Sequence, residues 1–127
     1  MIDWAKSGAT ASRLVENNDY DVCLIDYYLG DGTNGLEWAQ ALISVRGIEC
    51  PPLIMLTGIE SCENIDLSAS ESGIADFIGK SELTVKHLER SIRYAIQTRR
   101  MLREFLRCET RFHLFFDHAY EGILLLD

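Results

Sequence analysis

Apolar and polar positions along the chain fall into two rhythms. Residues 22–25, 53–56 and 74–78 are short, nearly unbroken apolar runs, the pattern of strands covered on both faces in a parallel sheet. Between them the apolar residues recur at helical spacing. Residues 7–17 carry alanines, Leu14 and Val15 at that spacing, with Ser7 as N-cap and Asn17-Asn18-Asp19 as the stop. Residues 36–43 repeat the period after a glycine-rich loop, residues 30–35, and a weaker, more polar helix is expected over 65–72. Pro51 and Pro52 halt the approach to the second strand, because proline does not continue a helix, and Gly73 releases the chain into the third. Strand and helix alternate, which signals an α/β fold with a parallel sheet and right-handed crossovers.

From Thr84 the period changes character. Leu88, Ile92, Ala95, Arg99, Leu102 and Leu106 follow one another in alternating steps of four and three, along one seam of a continuous helix. Residues 84–111 contain neither glycine nor proline, and at 1.5 Å per residue they reach about 42 Å. That is more than a small domain needs to cover its own sheet, so a dimer seam or a rigid connector is expected there. The dimer would form through Leu88, Ile92, Ala95 and Leu102.

Composition narrows the classes. With 127 residues, 47% of them hydrophobic, the chain has material for one core and an extension. Its net charge of -8 argues against nucleic acid as partner, since phosphate contacts need a basic face. The charge is also uneven: residues 1–82 hold 4 basic and 14 acidic residues, and residues 83–127 hold 8 and 6. The first part reads as a globular body and the second as a separate helical element. Cys23, Cys50, Cys62 and Cys108 form no CxxC pair, and no stretch approaches the length of a membrane span or a signal peptide. A cytoplasmic chain with reduced thiols and no membrane partner is expected.

Three polar residues end the three apolar runs. Asp26 follows the first, Thr57 closes the second and Lys80 follows the third. In an open α/β sheet, ligands bind beyond the carboxyl ends of the strands. An acid, a hydroxyl and a cation brought together there suit transfer of a phosphoryl group onto the carboxylate: the ammonium balances phosphoryl charge and the hydroxyl donates to a phosphoryl oxygen.

At these positions the chain resembles the receiver domains of bacterial two-component response regulators. The resemblance rests on Asp21-Val-Cys-Leu-Ile-Asp26-Tyr-Tyr-Leu-Gly-Asp-Gly-Thr-Asn-Gly35, on Leu53-Ile-Met-Leu-Thr57-Gly58 and on Gly73-Ile-Ala-Asp-Phe77-Ile-Gly-Lys80. It implies a flavodoxin-like sheet over residues 1–97, Asp26 as phosphoacceptor, Thr57 and Lys80 as catalytic partners, and Thr57 with Phe77, turning inward, as the switch. It also implies Mg2+ held by Asp26 and the backbone carbonyl of Tyr28, and a histidine kinase or phosphotransfer protein as donor. Residues 98–111 become a signalling helix. Residues 112–127, within Arg111-Phe-His-Leu-Phe-Phe-Asp-His-Ala-Tyr-Glu-Gly-Ile-Leu-Leu-Leu-Asp127, resemble the start of a PAS sensor domain.

The pattern departs from the family in two places. The family's first strand, its acidic metal-binding pair and the helix after it have no counterpart here, and Asp3 is not placed to replace the pair. The chain is therefore expected to be an N-terminally truncated piece of a longer protein. Ser81 stands where the family often has proline after a cis bond.

Other readings compete. A degenerate receiver would act only as a dimerisation module, and a dehalogenase-type phosphohydrolase would need a second acid where Tyr28 stands. Gly30, Gly32 and Gly35 match no phosphate-binding motif and are read as turn residues. Trp4 and Trp38 are read as helix-packing residues, Asp31 and Glu37 as solvated or capping acids, and His87, His113 and His118 as surface or packing residues.

Overall fold

Ser7 starts the first helix as its spacing predicts. Its hydroxyl accepts a hydrogen bond from the Thr10 amide, satisfying one of the free donors of the first turn, and helix α1 runs Gly8–Asn17. A computed structural model describes residues 2–30, 32–58 and 73–118, with side chains described through His113. Strand β1 (Cys23–Asp26) leads to α2 (Gly35–Arg46), then a 3-10 turn (Gly47–Glu49) and β2 (Leu53–Thr57). Strand β3 (Asp76–Gly79), a second 3-10 turn (Lys80–Glu82) and α3 (Val85–His118) complete the described order. The helix expected over 65–72, Cys62, Asp31 and residues 119–127 of the PAS-like stretch lie outside the described residues.

The sheet is parallel, in the order β1-β2-β3. Cys23 pairs with Leu53 and Asp26 with Leu56, while Ile54 pairs with Asp76 and Thr57 with Gly79. Alternation along β2 sends successive side chains to opposite faces. Leu53 and Met55 join Ile25, Ala39 and Cys50 in a core on the α2 side, with Phe77 and Trp38 against it. Ile54 joins Ile78 and Ala95 on the α3 side, where Leu88, Ile92, Val22 and Leu56 pack around them. Each large side chain buried this way contributes roughly 1.5–3 kcal/mol.

Trp38 staples the two helices of the first layer. Its indole N–H donates to the Gly8 carbonyl at 3.1 Å and to Ser12 Oγ at 2.9 Å. Trp4 does not pack on a helix: it precedes α1, lies 81% exposed and carries Lys6 Nζ over its ring. Asp3 accepts a 2.6 Å hydrogen bond from the Tyr20 hydroxyl, which pushes the Tyr20 pKa up to about 12.

Residues 22–25 are not covered on both faces. Leu24 stands beside Ile54 in register, yet Leu88, Ile92 and Ala95 cover Ile54 and Ile78 and leave Leu24 44% exposed. The long helix begins where expected, with the Thr84 hydroxyl accepting from the His87 amide, and continues past Arg111 to His118 without interruption. Its seam is a further correction. Leu88, Ile92 and Ala95 are occupied by the chain's own sheet, so they do not form a dimer face. By compactness the chain divides into Met1–Ile96 and Gln97–Asp127. Among the described residues, no helix is long and apolar enough to cross a membrane.

Candidate functional site

Asp26 is the last residue of β1, and the backbone on its C-terminal side is fixed from several directions. The Tyr27 amide donates to the Leu56 carbonyl at 3.0 Å, continuing the ladder one residue past the strand. The Tyr27 carbonyl in turn accepts from the Gly35 amide at 2.6 Å, and its hydroxyl accepts from Asn34 Nδ2 at 3.3 Å. Asn34 also caps α2, its Oδ1 accepting from the Leu36 amide at 2.8 Å. The loop between β1 and α2 is therefore closed against the strand end that bears the acid.

Gly35 is required by close approach rather than by turn geometry. A Cβ at this position would stand 2.1 Å from the Asp26 carbonyl oxygen and 3.0 Å from Ile25 Cγ2. The missing side chain lets the first turn of α2 rest on the backbone of Asp26. Reading the glycines as turn residues misses this, although Asn34-Gly35 ahead of an apolar helix carries the same capping signal that identifies Ser7.

Lys80 opens the 3-10 turn after β3, two strands away from Asp26. Strand spacing of about 4.8 Å puts that gap near 10 Å, within reach of a lysine side chain laid across the end of β2. Its Nζ lies 2.6 Å from Asp26 Oδ2, while the Tyr28 amide donates to Oδ1 at 3.3 Å. The two side chains are 49% and 42% exposed, open to an incoming group. The Lys80–Ser81 peptide bond is trans.

Thr57 ends β2 between them but is turned away. Its hydroxyl is buried and donates to the Ile78 carbonyl at 3.5 Å, at the long limit of a hydrogen bond. The structure thus brings Asp26 and Lys80 together and leaves the Thr57 hydroxyl on the neighbouring strand. Phe77, half-buried, packs on the α2-side core. Next to it, Asp76 uses both carboxylate oxygens, one accepting from the Phe77 amide at 2.8 Å and the other from Ser91 Oγ of α3 at 2.6 Å.

The described residues do not by themselves make up a magnesium site. Among the described residues there is no cluster of three or more acidic, histidine or cysteine side chains, and Asp26 already carries an ammonium. A hard dication with near-octahedral demands needs more anionic oxygen than one paired carboxylate.

Comparisons with known proteins agree on the architecture. The structure is similar to an adenylate cyclase from Rhodopirellula baltica (TM-score 0.73, 18% identity, 84% of this chain and 76% of that one). It is also similar to NtrX from Brucella abortus (0.70, 21%, 82% and 22%), of which it spans only about a fifth of the length. A response regulator receiver domain protein from Clostridium thermocellum gives 0.66 at 23% identity, over 77% of this chain and 75% of that one. At these identities the likeness establishes the fold, a flavodoxin-like parallel sheet with flanking helices and a long C-terminal helix. No curated protein matches the chain. The model of the response regulator receiver domain matches residues 1–93. The chain belongs to the response regulator receiver domain family.

Proposed function

We propose that Asp26 is the phosphoacceptor of a two-component phosphorelay. Receiver domains are signalling modules rather than enzymes in the usual sense, and take phosphoryl groups from histidine kinases or phosphotransfer proteins. The observation that carries the assignment to Asp26 is its pairing with Lys80 at 2.6 Å on the carboxyl edge of a parallel sheet, both groups about half exposed. In the reaction a carboxylate oxygen of Asp26 attacks the phosphorus of a phosphohistidine. The O–P bond of an acyl phosphate forms, the N–P bond breaks, and the imidazole leaves with the electron pair. Lys80, already on Asp26, moves with the added negative charge to a phosphoryl oxygen. Receiver domains generally bind Mg2+ at an acidic pocket, where it would neutralise part of the phosphoryl charge.

The switch follows from what Thr57 and β3 hold. The 3.5 Å bond to Ile78 costs little to exchange for a bond to a phosphoryl oxygen, so Thr57 is the hydroxyl that responds. Its departure frees the Ile78 carbonyl, next to Phe77. Asp76 then links that strand to α3 through Ser91. In this reading α3 carries the signal to a PAS-type output and also self-associates.

The test is intact-mass measurement after incubation with a small phosphodonor, with and without magnesium. The protein gains one phosphoryl group and Asp26→Ala gains none. Equal labelling of the two would reject the assignment and leave a degenerate interaction module.

A further inference from the structure

The apolar line on the second half of α3 is not the continuation of the one on its first half. Leu88, Ile92 and Ala95 pack on the sheet, and continuing their four-three spacing leads to Arg99, Leu102, Leu106, Glu109 and His113, which is mostly polar. A line displaced by one residue, Thr98, Met101, Phe105, Cys108 and Phe112, keeps the same spacing and is almost wholly apolar. These residues lie on a helix, and Met101, Phe105 and Phe112 are 73%, 65% and 64% exposed. Isolated exposed apolar residues need no explanation, but several at heptad spacing on one stripe do.

The charges beside this stripe indicate what covers it. Counting Phe105 and Phe112 as a positions and Met101 and Cys108 as d positions puts Glu104 and Arg111 at g, and Leu102 and Glu109 at e. Two parallel copies in register would set Glu104 of each helix against Glu109 of the other, twice. Two antiparallel copies, with Phe105 facing Cys108 and Met101 facing Phe112, set Glu104 against Arg111, twice, with Leu102 against Glu109 on the other edge. The stripe is thus complementary to itself in one orientation.

We infer that residues 98–112 of α3 form an antiparallel two-stranded coiled coil with a second copy of this chain, through Met101, Phe105, Cys108 and Phe112 and flanked by two Glu104–Arg111 pairs. This deepens the reading of α3 as a self-associating helix and is independent of the phosphoacceptor assignment. Within its own helix Glu104 pairs with Arg107, at 3.4 Å and i,i+3 spacing on an exposed surface, a contact that yields easily to a better partner.

Sedimentation equilibrium over a wide concentration range, under reducing conditions to keep Cys108 a thiol, tests it. Circular dichroism checks that each variant keeps its helix. Glu104→Arg and Arg111→Glu each weaken association roughly tenfold, the double exchange E104R/R111E restores it, and Phe105→Ala abolishes it. Tighter association of Glu104→Arg would mean the parallel arrangement and overturn the orientation. A dimer indifferent to all four variants would overturn the face while leaving self-association standing. A chain that stays monomeric throughout overturns both, and phosphoryl uptake at Asp26 is untouched by any of these outcomes.

Discussion

Gly35 lies against the carbonyl of Asp26 so closely that a single added methyl group would stand 2.1 Å from the oxygen. The residue proposed to accept the phosphoryl group is thus held by the start of the next helix. Gly35→Ala is expected to force that backbone apart and cost about 1–3 kcal/mol, and to reduce phosphoryl uptake by moving Asp26 away from Lys80. Gly58→Ala is the control, since none of the described residues comes within 4 Å of its would-be Cβ. Urea titration of both variants decides the point; equal midpoints would show that the close approach is relieved without consequence.

The Asp26–Lys80 pair is a poor stabilising element. Both side chains are nearly half exposed, and such pairs contribute about 0–1 kcal/mol. Lys80→Met should therefore leave thermal unfolding almost unchanged while strongly slowing phosphoryl uptake. A loss of stability well beyond that range, with uptake retained, would make the pair structural.

Ser91 and Asp76 tie α3 to the strand that carries Phe77. Ser91 is 5% exposed, so Ser91→Ala leaves a carboxylate oxygen short of its donor in a largely desolvated place. The expected cost is about 1–3 kcal/mol. Hydrogen exchange should also speed up in β3 and the first turns of α3 together. Faster exchange in only one of them would argue against the tether.

Cys23 packs on the α2-side core, and burial pushes its pKa up from 9.0 to about 11, with neighbouring Cys50 adding to the effect and Arg46 opposing it. A raised folded-state value means the unfolded chain loses its proton first. The contribution of this thiol to stability is therefore complete below pH 9 and lost as pH rises from about 9 to 11. Cys23→Ala should flatten that part of the stability profile relative to the parent. In mass-mapped alkylation at mildly alkaline pH, at concentrations low enough to keep the chain monomeric, Cys108 should react well before Cys23.

How far the sequence can be read depends on how local the physics is. β1 and β2 lie within one residue of the expected runs, because a consecutive apolar stretch bounded by polar residues or prolines states its own limits. Ser7 and Thr84 cap their helices for equally local reasons. The exposure of Leu24 and of Trp4 is not local: it depends on what lies opposite them in space. The seam of α3 fails similarly. Spacing alone continues the line from Leu88 to Leu106, whereas packing uses its first half internally and leaves a different line outside.

The site divides in the same way. Asp26 and Lys80 end parallel strands, and strand ends of a parallel sheet share an edge, so their meeting is legible from order and spacing. The support beneath them is not, because the contact between Gly35 and Asp26 is made by an absent side chain. The direction of the Thr57 hydroxyl toward Ile78 depends on cross-strand register, which the sequence pattern leaves open.

The central claim is a covalent one, that a phosphoryl group is carried on the Asp26 carboxylate. The most direct measurement is borohydride trapping after phosphodonor treatment, which reduces an acyl phosphate of aspartate to homoserine, followed by peptide mapping. Homoserine at position 26, absent without donor and reduced in Lys80→Met, is the predicted result. Phosphoryl recovered on a histidine, serine or threonine instead, with aspartate intact at position 26, would contradict it.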